Sequence, residues 1–491
     1  VTTSNLRVTL LNSAPENPKG EYVLYWSQVF RRPHDNAALN FAVERANALG
    51  LPCIFYEAIR PDYPHASDRF HAFVLEAAHE TSEALKKRGI HHIFFLPKTP
   101  DEARGVVAQL AKNARLVVSD DSPMFIAEHN ARAAKKVGVP FFVVDDNAIV
   151  PLSLFPKEEF AARTIRPKIH KVLAEWLKPL PDVKPKKDPP SKLQLPFDPI
   201  DFEKADLQKL IAKCEIDHDV PAVAEFPGGY KSAEKRLDFF LKKKLAAYDV
   251  DRNEPARDAT SHLSPYLHFG MVSARKVALE ARDAASMNGA PESADPFLEQ
   301  LVVRRGLAYN FAARNKKHTT YASIPTWAKE TLALHEKDPR PYLLSRRELE
   351  DAQSRDAIWN AAQLELRARG VMHNYLRMLW GKLVITWTKK PSDAFDTLVY
   401  LNDKYALDGR DPDGYASIAW IFGVHDRPWP EREIYGKIRC MTSRSTASKF
   451  DLEDYLSNVP AWRDLAGITK IPKIDAPEKY GKKSSGQTDL F

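Results

Sequence analysis

Residues 359–387 read WNAAQLELRARGVMHNYLRMLWGKLVITW, and their reading decides the architecture of the C-terminal half. After Gly370, the residues Met372, Tyr375, Leu376, Leu379, Trp380, Leu383 and Trp387 recur at the spacing of one helix face turned to a core. Arg377 sits among them, and an arginine near a core needs a carboxylate partner. Residues 401–426, LNDKYALDGRDPDGYASIAWIFGVHD, are dense in Asp, Gly and Asn, the composition of loops that carry sites, and Asp408 is the candidate partner. On these residues alone, the three tryptophans read as core residues and the Arg–Asp pair as structural.

The same periodicity holds outward from this block. From about Ser232 to Phe450 the apolar residues recur mostly at helical spacing, so an all-α domain is expected over residues 231–455. Within it, Thr260–Gly270 reads TSHLSPYLHFG, with Tyr248 twelve residues upstream of Thr260. Hydroxyls near a helix start suit N-caps, and they suit anion binding too, because the free N–H groups there attract phosphate. From Lys178 to about Pro199 the chain turns rich in Pro and Lys, so residues 151–230 are expected to form an extended linker. Residues 471–491 are expected to be a disordered tail.

Residues 20–150 alternate differently. Candidate strands at Tyr22–Trp26, Leu51–Tyr56, His91–Leu96, Leu116–Ser119 and Pro140–Asp145 are separated by helical patterns at Asn36–Leu49, Ala66–Arg88, Asp101–Asn113 and Ile126–Val137. This predicts an α/β domain, a parallel sheet with helices on both faces. The chain has neither a G-x-G-x-x-G nor a G-x-x-x-x-G-K-[ST] motif, so no obvious dinucleotide or nucleoside triphosphate site is present.

Composition sets the outer bounds. Apolar content of 44% and charged content of 28% are those of an ordinary globular protein, and 491 residues suffice for two or three domains. A net charge of +7 is compatible with a polyanion partner without requiring one. The three cysteines, Cys53, Cys214 and Cys440, lie far apart, against a disulfide scaffold or structural zinc. No apolar run approaches the ~20 residues of a membrane span, and no secretory signal pattern is seen at the N-terminus, so a monomer of the cytosol or nucleoid is expected.

The TSHLSPYLHFG segment, the W-N-A-x-Q…M-H-N-Y-L-R-M block and L-N-D-K-Y-x-L-D-G-R-D-P-D-G-Y resemble the photolyase/cryptochrome family. With G-V-H-D-R-x-W and G-K-I-R, the likeness is to class II cyclobutane pyrimidine dimer photolyases and covers about residues 20 to 455. It implies a Rossmann-like N-terminal domain, an all-α C-terminal domain holding a U-shaped FAD, and light-driven repair of UV-damaged DNA. It further implies that Tyr248, Thr260, Ser261, His262, Leu263 and Ser264 contact the ribityl and phosphate groups. Asn402 would face flavin N5, with the Arg377–Asp408 pair beside the ring, where a guanidinium favours an anionic flavin. Trp359 and Trp380 would form an electron-transfer dyad, with Trp387 close by. Gln300, Arg304, Met378 and Trp420 would face the lesion, and Arg427, Lys437 and Arg439 are candidate phosphate contacts. An antenna chromophore in the N-terminal domain follows by analogy, and no residue identifies it.

The chain departs from the family pattern in one helix and in the W-I-F-G-V-H-D stretch, residues 420–426, which is one residue shorter. Class II enzymes read F-L-E-E-L-V-V-R-R-E-L-A-D-N-F where this chain reads FLEQLVVRRGLAYNF, residues 297–311. Gln300 replaces the glutamate that hydrogen-bonds the dimer, and Gly306 and Tyr309 replace two further acids. The resulting expectation is repair that is weakened or altered, with two alternatives: a cryptochrome-like photoreceptor, or a photolyase-like flavoprotein without dimer repair. Finally, Gln487, Leu490 and Phe491 match a Q-x-x-L-F peptide of the type that docks on bacterial sliding clamps.

Overall fold

Six strands form one sheet: β1 (Val8–Leu10), β2 (Tyr22–Ser27), β3 (Cys53–Ala58), β4 (His91–Phe95), β5 (Ala114–Asp121) and β6 (Phe141–Asp145). A computed structural model describes residues 6–190, 193–472 and 474 of the chain. The strand order is β1-β6-β5-β2-β3-β4, with every pairing parallel except β1 against β6. Side chains of β2 alternate between two cores. Tyr22 and Leu24 join Val106, Leu110 and Ala134 on one face, and Val23 and Tyr25 join Leu39, Ala42 and Val43 on the other. Burial on both faces is why these strands read as nearly continuous apolar runs. The expected strands and helices are all present in this α/β domain, with the 101–113 helix shortened to Val106–Ala111 because Gly105, at φ 74°, starts it late. The edge strand β1 escapes the pattern. It is three residues long, and its register comes from β6 and from Arg7, which donates to the carbonyls of Asp145 and Ile149 at 2.8 and 2.5 Å.

The sheet's order reverses between β2 and β5, the place where open α/β sheets bind ligands. Here Asp120 at the end of β5 occupies the crevice. It accepts from the backbone N–H groups of Gln28, Val29 and Phe30 at 2.8, 2.6 and 2.9 Å and from the Tyr25 hydroxyl at 2.7 Å. The donors that a phosphate would use are satisfied internally, in line with the missing glycine motif.

Packing groups residues 1–248, 261–316 and 410–413 into one unit and 249–260, 317–409 and 414–491 into another. Beyond residue 150 every named element among the described residues is helical. The segment expected as a linker carries the helix Ala162–Trp176, with Ile165 and Ile169 buried. Its Pro- and Lys-rich part is extended but pinned. Asn40 and Asn47, two turns apart on the helix Ala37–Leu49, grip it: they donate to the carbonyls of Pro181 and Lys184 at 2.9 Å each, and accept from Val183 and Lys186. Phe197 then stacks on Phe95, ring centres 4.2 Å apart. Among the described residues no helix is long and apolar enough to cross a membrane. Residues 475–491, including Gln487, Leu490 and Phe491, lie outside the described residues.

Glu57, fully buried at the end of β3, is 3.5 Å from Arg31 and 3.9 Å from His92. Burial pushes its carboxyl up to about 7, despite Arg31. A folded value above the unfolded one means a contribution that is complete below about pH 4.5 and lost as pH rises through 7. Asp121 is likewise pushed up to about 7 by burial and Asp145. Glu57→Gln is therefore expected to flatten the fall of the thermal midpoint between pH 5 and 8, by the equivalent of about 1–3 kcal/mol, leaving the Asp121 part. Parallel midpoints for variant and parent across that range would contradict this.

Candidate functional site

In the second unit, three helices set out the expected residues: Ala357–Arg369 carries Trp359, Asn374–Trp387 carries Arg377 and Trp380, and Pro391–Tyr405 carries Asn402, with Asp408 in the turn that follows. The first ends at Gly370, at φ 67°, where a Cβ would lie 2.8 Å from Leu407 Cγ. The Gly370 carbonyl accepts from Leu407 N–H at 2.8 Å, which sets Asp408 beside the next helix. There Arg377 donates to Asn402 Oδ1 at 2.6 Å and pairs with Asp408 Oδ1 at 3.7 Å. Asn402 donates in turn to Asp403 at 3.2 Å, and Asp403 accepts from the Tyr415 hydroxyl at 2.6 Å. The structure thus brings Arg377, Asn402 and Asp408 together, and Arg377 grips Asn402 more closely than its carboxylate. Asp408 Oδ1 is buried with no hydrogen-bond partner. A Cβ on Gly414 would stand 3.1 Å from Asn402 Nδ2, so this face of the amide stays open only to something thin.

The tryptophans of the same unit form a file. Trp380 Nε1 donates to Gln363 Oε1 and Trp359 Nε1 to the Trp380 carbonyl, each at 2.9 Å. Trp359 meets Trp387 edge-on at 5.4 Å, and Trp387 stacks on Tyr342 at 5.6 Å with planes 18° apart. The route therefore crosses from one helix to the other and back rather than running down one helical face from Trp380 to Trp387. Trp359 and Trp380 are buried, and Tyr342 is partly exposed with Arg355 over its ring. Tyr342 escaped the sequence reading because it sits in an irregular Pro-rich stretch with no periodicity to mark it.

A hairpin gathers the basic residues. Trp429 N–H donates to the Lys437 carbonyl at 2.7 Å, and Arg432 and Gly436 exchange backbone hydrogen bonds at 2.9 and 2.7 Å. The guanidinium groups of Arg427 and Arg439 lie over the Trp429 ring, 5.6 and 5.4 Å from its centre. Arg427 and Lys437 are exposed, and Trp420 and Met378 are half-buried. Trp429 is a second residue the sequence reading missed; its contact with two arginines is a product of the hairpin register. Buried Lys382 donates to the Ile421 carbonyl that ends the helix of Trp420, and burial pushes its amine down to about 7. Thr260, also in this unit, is half-buried.

In the first unit, Tyr248 is buried edge-on against Phe240 and Phe297. Ser261 Oγ accepts from Leu263 N–H at 3.4 Å, and His262 takes the left-handed φ of 50°. No hydroxyl caps the helix Ser264–His268: its N-cap position is Leu263, so the capping reading of this segment is set aside. Ser264 is exposed at its first turn.

The divergent helix widens to π geometry over Glu299–Arg304, a distortion frequent at functional sites. Glu299 is taken by Arg166 at 2.7 and 3.0 Å and by Arg304 at 3.3 Å, so it does not stand in for an acid at position 300. Gly306 makes room for Ile169, whose Cδ1 would be 3.1 Å from an added Cβ. Tyr309 is buried. Its hydroxyl accepts from Arg305 at 2.7 Å and donates to Asp411 at 3.4 Å, and His268 reaches the same Asp411 oxygen at 3.0 Å. Burial, reinforced by Asp411, holds the Tyr309 hydroxyl well above its ordinary value. The substitutions at 306 and 309 are therefore packed into the unit's own interior.

Residues 23–186 match the DNA photolyase family model. The chain is 37% identical over 462 residues to a deoxyribodipyrimidine photo-lyase of Methanothermobacter thermautotrophicus, covering 93% of this chain and 99% of that one. It is 36% identical over 499 residues to a protein of the same name from Oryza sativa, covering 98% and 95%. Among solved structures, a class III photolyase from Agrobacterium tumefaciens has the same fold, with a TM-score of 0.67 at 17% identity over 95% of each chain. Identity above a third across nearly the whole of both chains, on this fold, establishes that the chain belongs to the DNA photolyase family.

Proposed function

We propose that this chain splits cyclobutane pyrimidine dimers in UV-damaged DNA by light-driven electron transfer from a bound FAD, as a class II-like photolyase. The observation that carries the reading is the helix Asn374–Trp387. It bears Arg377, in contact with Asn402 and Asp408, and one turn on it bears Trp380, the start of an aromatic file that ends at partly exposed Tyr342.

The residues present fit a flavin. Its ring edge offers N–H and C=O groups, and Asp408 Oδ1 is an acceptor lacking a donor while Arg377 and Asn402 supply donors. When bound, reduced FAD supplies the light-excited electron that opens the dimer's cyclobutane ring. Arg377 would stabilise negative charge on the ring, and Asn402, held at both ends of its amide, would present a fixed polar group. Tyr248 and the 260–264 segment would hold the rest of the molecule. Trp380, Trp359 and Trp387 would carry an electron inward from Tyr342. Photolyases flip their target out of the duplex, which needs phosphate contacts and an aromatic surface. Arg427, Lys437 and Arg439 would supply the first, and Trp420 and Trp429 the second. Gln300 and Arg304 would meet the lesion with hydrogen bonds and without a carboxylate.

Gln300 is also what favours the cryptochrome-like alternative, since it removes the acid that contacts the dimer in the class II pattern. Illumination of the purified protein with dimer-containing DNA separates the two: loss of dimers in light and not in darkness is expected, and a yellow protein that leaves them intact would select the photoreceptor. Gln300→Glu is expected to raise the repair yield severalfold at limiting DNA, because a charge-assisted hydrogen bond is roughly twice as strong as a neutral one. An unchanged or lower yield would exclude position 300 from dimer contact.

Trp380→Phe and Trp359→Phe are each expected to slow flavin photoreduction by external reductants at least ~10-fold, the effect of raising the barrier by ~1.4 kcal/mol. Tyr342→Phe should have a smaller effect, since Trp387 remains as a terminus. Flavin content, read by absorbance, should stay constant; equal photoreduction rates in all three variants would reject the file.

A further inference from the structure

The hairpin that carries Arg427, Trp429, Lys437 and Arg439 turns through a strained residue. Ile434 is buried at φ 68°, in the left-handed region that a β-branched side chain rarely adopts. Something outside the turn must hold it there. Its N–H donates to Asp338 Oδ2 at 2.7 Å, and Asp338 in turn lies 2.5 Å from His335 Nδ1. His335 Nε2 is 3.0 Å from Glu431 Oε1, on the hairpin's outgoing arm. The imidazole is thus bonded at both nitrogens to carboxylates, one gripping the strained turn and one belonging to the hairpin. Gly436 lets the hairpin lie flat on it: an added Cβ would come within 3.0 Å of His335 Cδ2 and 2.2 Å of Thr331 Oγ1.

We infer that His335 is a positioning residue, a protonation-dependent clasp that holds the Asp426–Arg439 hairpin in its DNA-binding form. The inference rests on the reading that this hairpin contacts DNA. Only the imidazolium has an N–H on both nitrogens, so only it can donate to Asp338 and Glu431 together. The neutral ring keeps one donor and turns a lone pair toward the other carboxylate, and the clasp opens on one side. The groups facing it set the direction. Glu431 and Asp338 hold His335 above the ordinary histidine range; His335 holds the Glu431 carboxyl low, while the Ile434 N–H and then His335 hold that of Asp338 low. Lys437 stands near Glu431, and Arg340 donates to the carbonyls of His335 and Asp338 at 3.4 and 3.0 Å, with Glu336 and Glu433 about it. The imidazolium is favoured below the raised value, so the clasp is closed at the acid end and opens as pH rises through it.

The test is the affinity of the FAD-loaded full chain for a dimer-containing duplex, from pH 6 to 8.5 at constant ionic strength. The parent protein is expected to weaken roughly two- to fivefold across the range, the scale of a partly exposed ion pair. His335→Gln, which does not titrate, should show a flat profile near the parent's high-pH affinity. Glu431→Gln, at an exposed position that does not threaten folding, should shift the fall to lower pH. Arg439→Ala separates the two levels of inference. Should it bind as tightly as the parent, the hairpin's role on DNA falls, and the clasp's consequence with it. Should it bind more weakly while both other variants keep the parent's pH profile, the clasp alone is overturned.

Discussion

A single buried carboxylate, Asp146, ties the sheet to the helices that follow it. It lies at the end of β6, pairs with Arg32 from the loop after β2, meets Arg275 of the helix Ala274–Met287 at 3.3 Å and Arg7 at 3.9 Å, and accepts from Ala37 N–H at 3.1 Å. Burial alone would raise its carboxyl; Arg275, Arg32 and Arg7 outweigh it and hold it low. A buried pair of this kind adds little net stability, yet removing one partner strands a charge at a cost of about 3–5 kcal/mol. The network joins segments far apart in the chain, Arg7, Arg32 and Arg275, through one carboxylate. Asp35, gripped by Arg275 and Ser273, and Gly270, whose carbonyl accepts from Arg32, extend the same lock. The divergent helix is built within this unit, and its new Tyr309 joins a second buried network around Arg305 and Asp411.

The second unit reaches its geometry through close backbone approach. Gly370 and Gly409 allow the 406–409 turn to fold back onto the helices that flank it. A Cβ on Gly409 would lie 2.8 Å from the Asn402 carbonyl. That turn decides how far Asp408 stands from Arg377. Gly381 does the same at the other end of the arginine's helix, where a Cβ would collide with Ile421 at 2.0 Å, and Lys382 caps the carbonyl there. One helix therefore sets the Arg377 cluster, the tryptophan file and the height of Trp420.

The Arg377 cluster places polar groups in largely apolar surroundings, with Asn402 and Asp403 hydrogen-bonded and Asp408 Oδ1 left without a hydrogen bond. By contrast, the crevice at the sheet's reversal is sealed by Asp120, so the α/β domain keeps the shape of a nucleotide fold without its phosphate cradle.

How much of this was legible in the sequence follows from the range of each interaction. Strand and helix positions rest on local periodicity, so β2 to β6 and the helices of the second unit could be read directly, as could the family likeness carried by contiguous motifs. Arg377 and Asp408 could be matched because a buried arginine needs an acid and the chain offers one in a loop. The short strand β1, the helix Ala162–Trp176 inside the segment expected as a linker, and the pinning of the Pro- and Lys-rich stretch by Asn40 and Asn47 could not, since each is stabilised by residues far away in the chain. The same holds for Tyr342 and Trp429, which acquire their places from a stack on Trp387 and from a hairpin register. Why a glycine stands at 306 could not be read either; only the fold shows Ile169 against it. The sequence by itself determined the parallel strands, the mostly helical character of the C-terminal half and the residue types of the Arg377 cluster, because those depend on neighbours along the chain. The tertiary structure alone decided which aromatic touches which, which carboxylate oxygen is left without a hydrogen bond and what holds Ile434 in a strained turn, because those depend on distances between segments that no local pattern encodes.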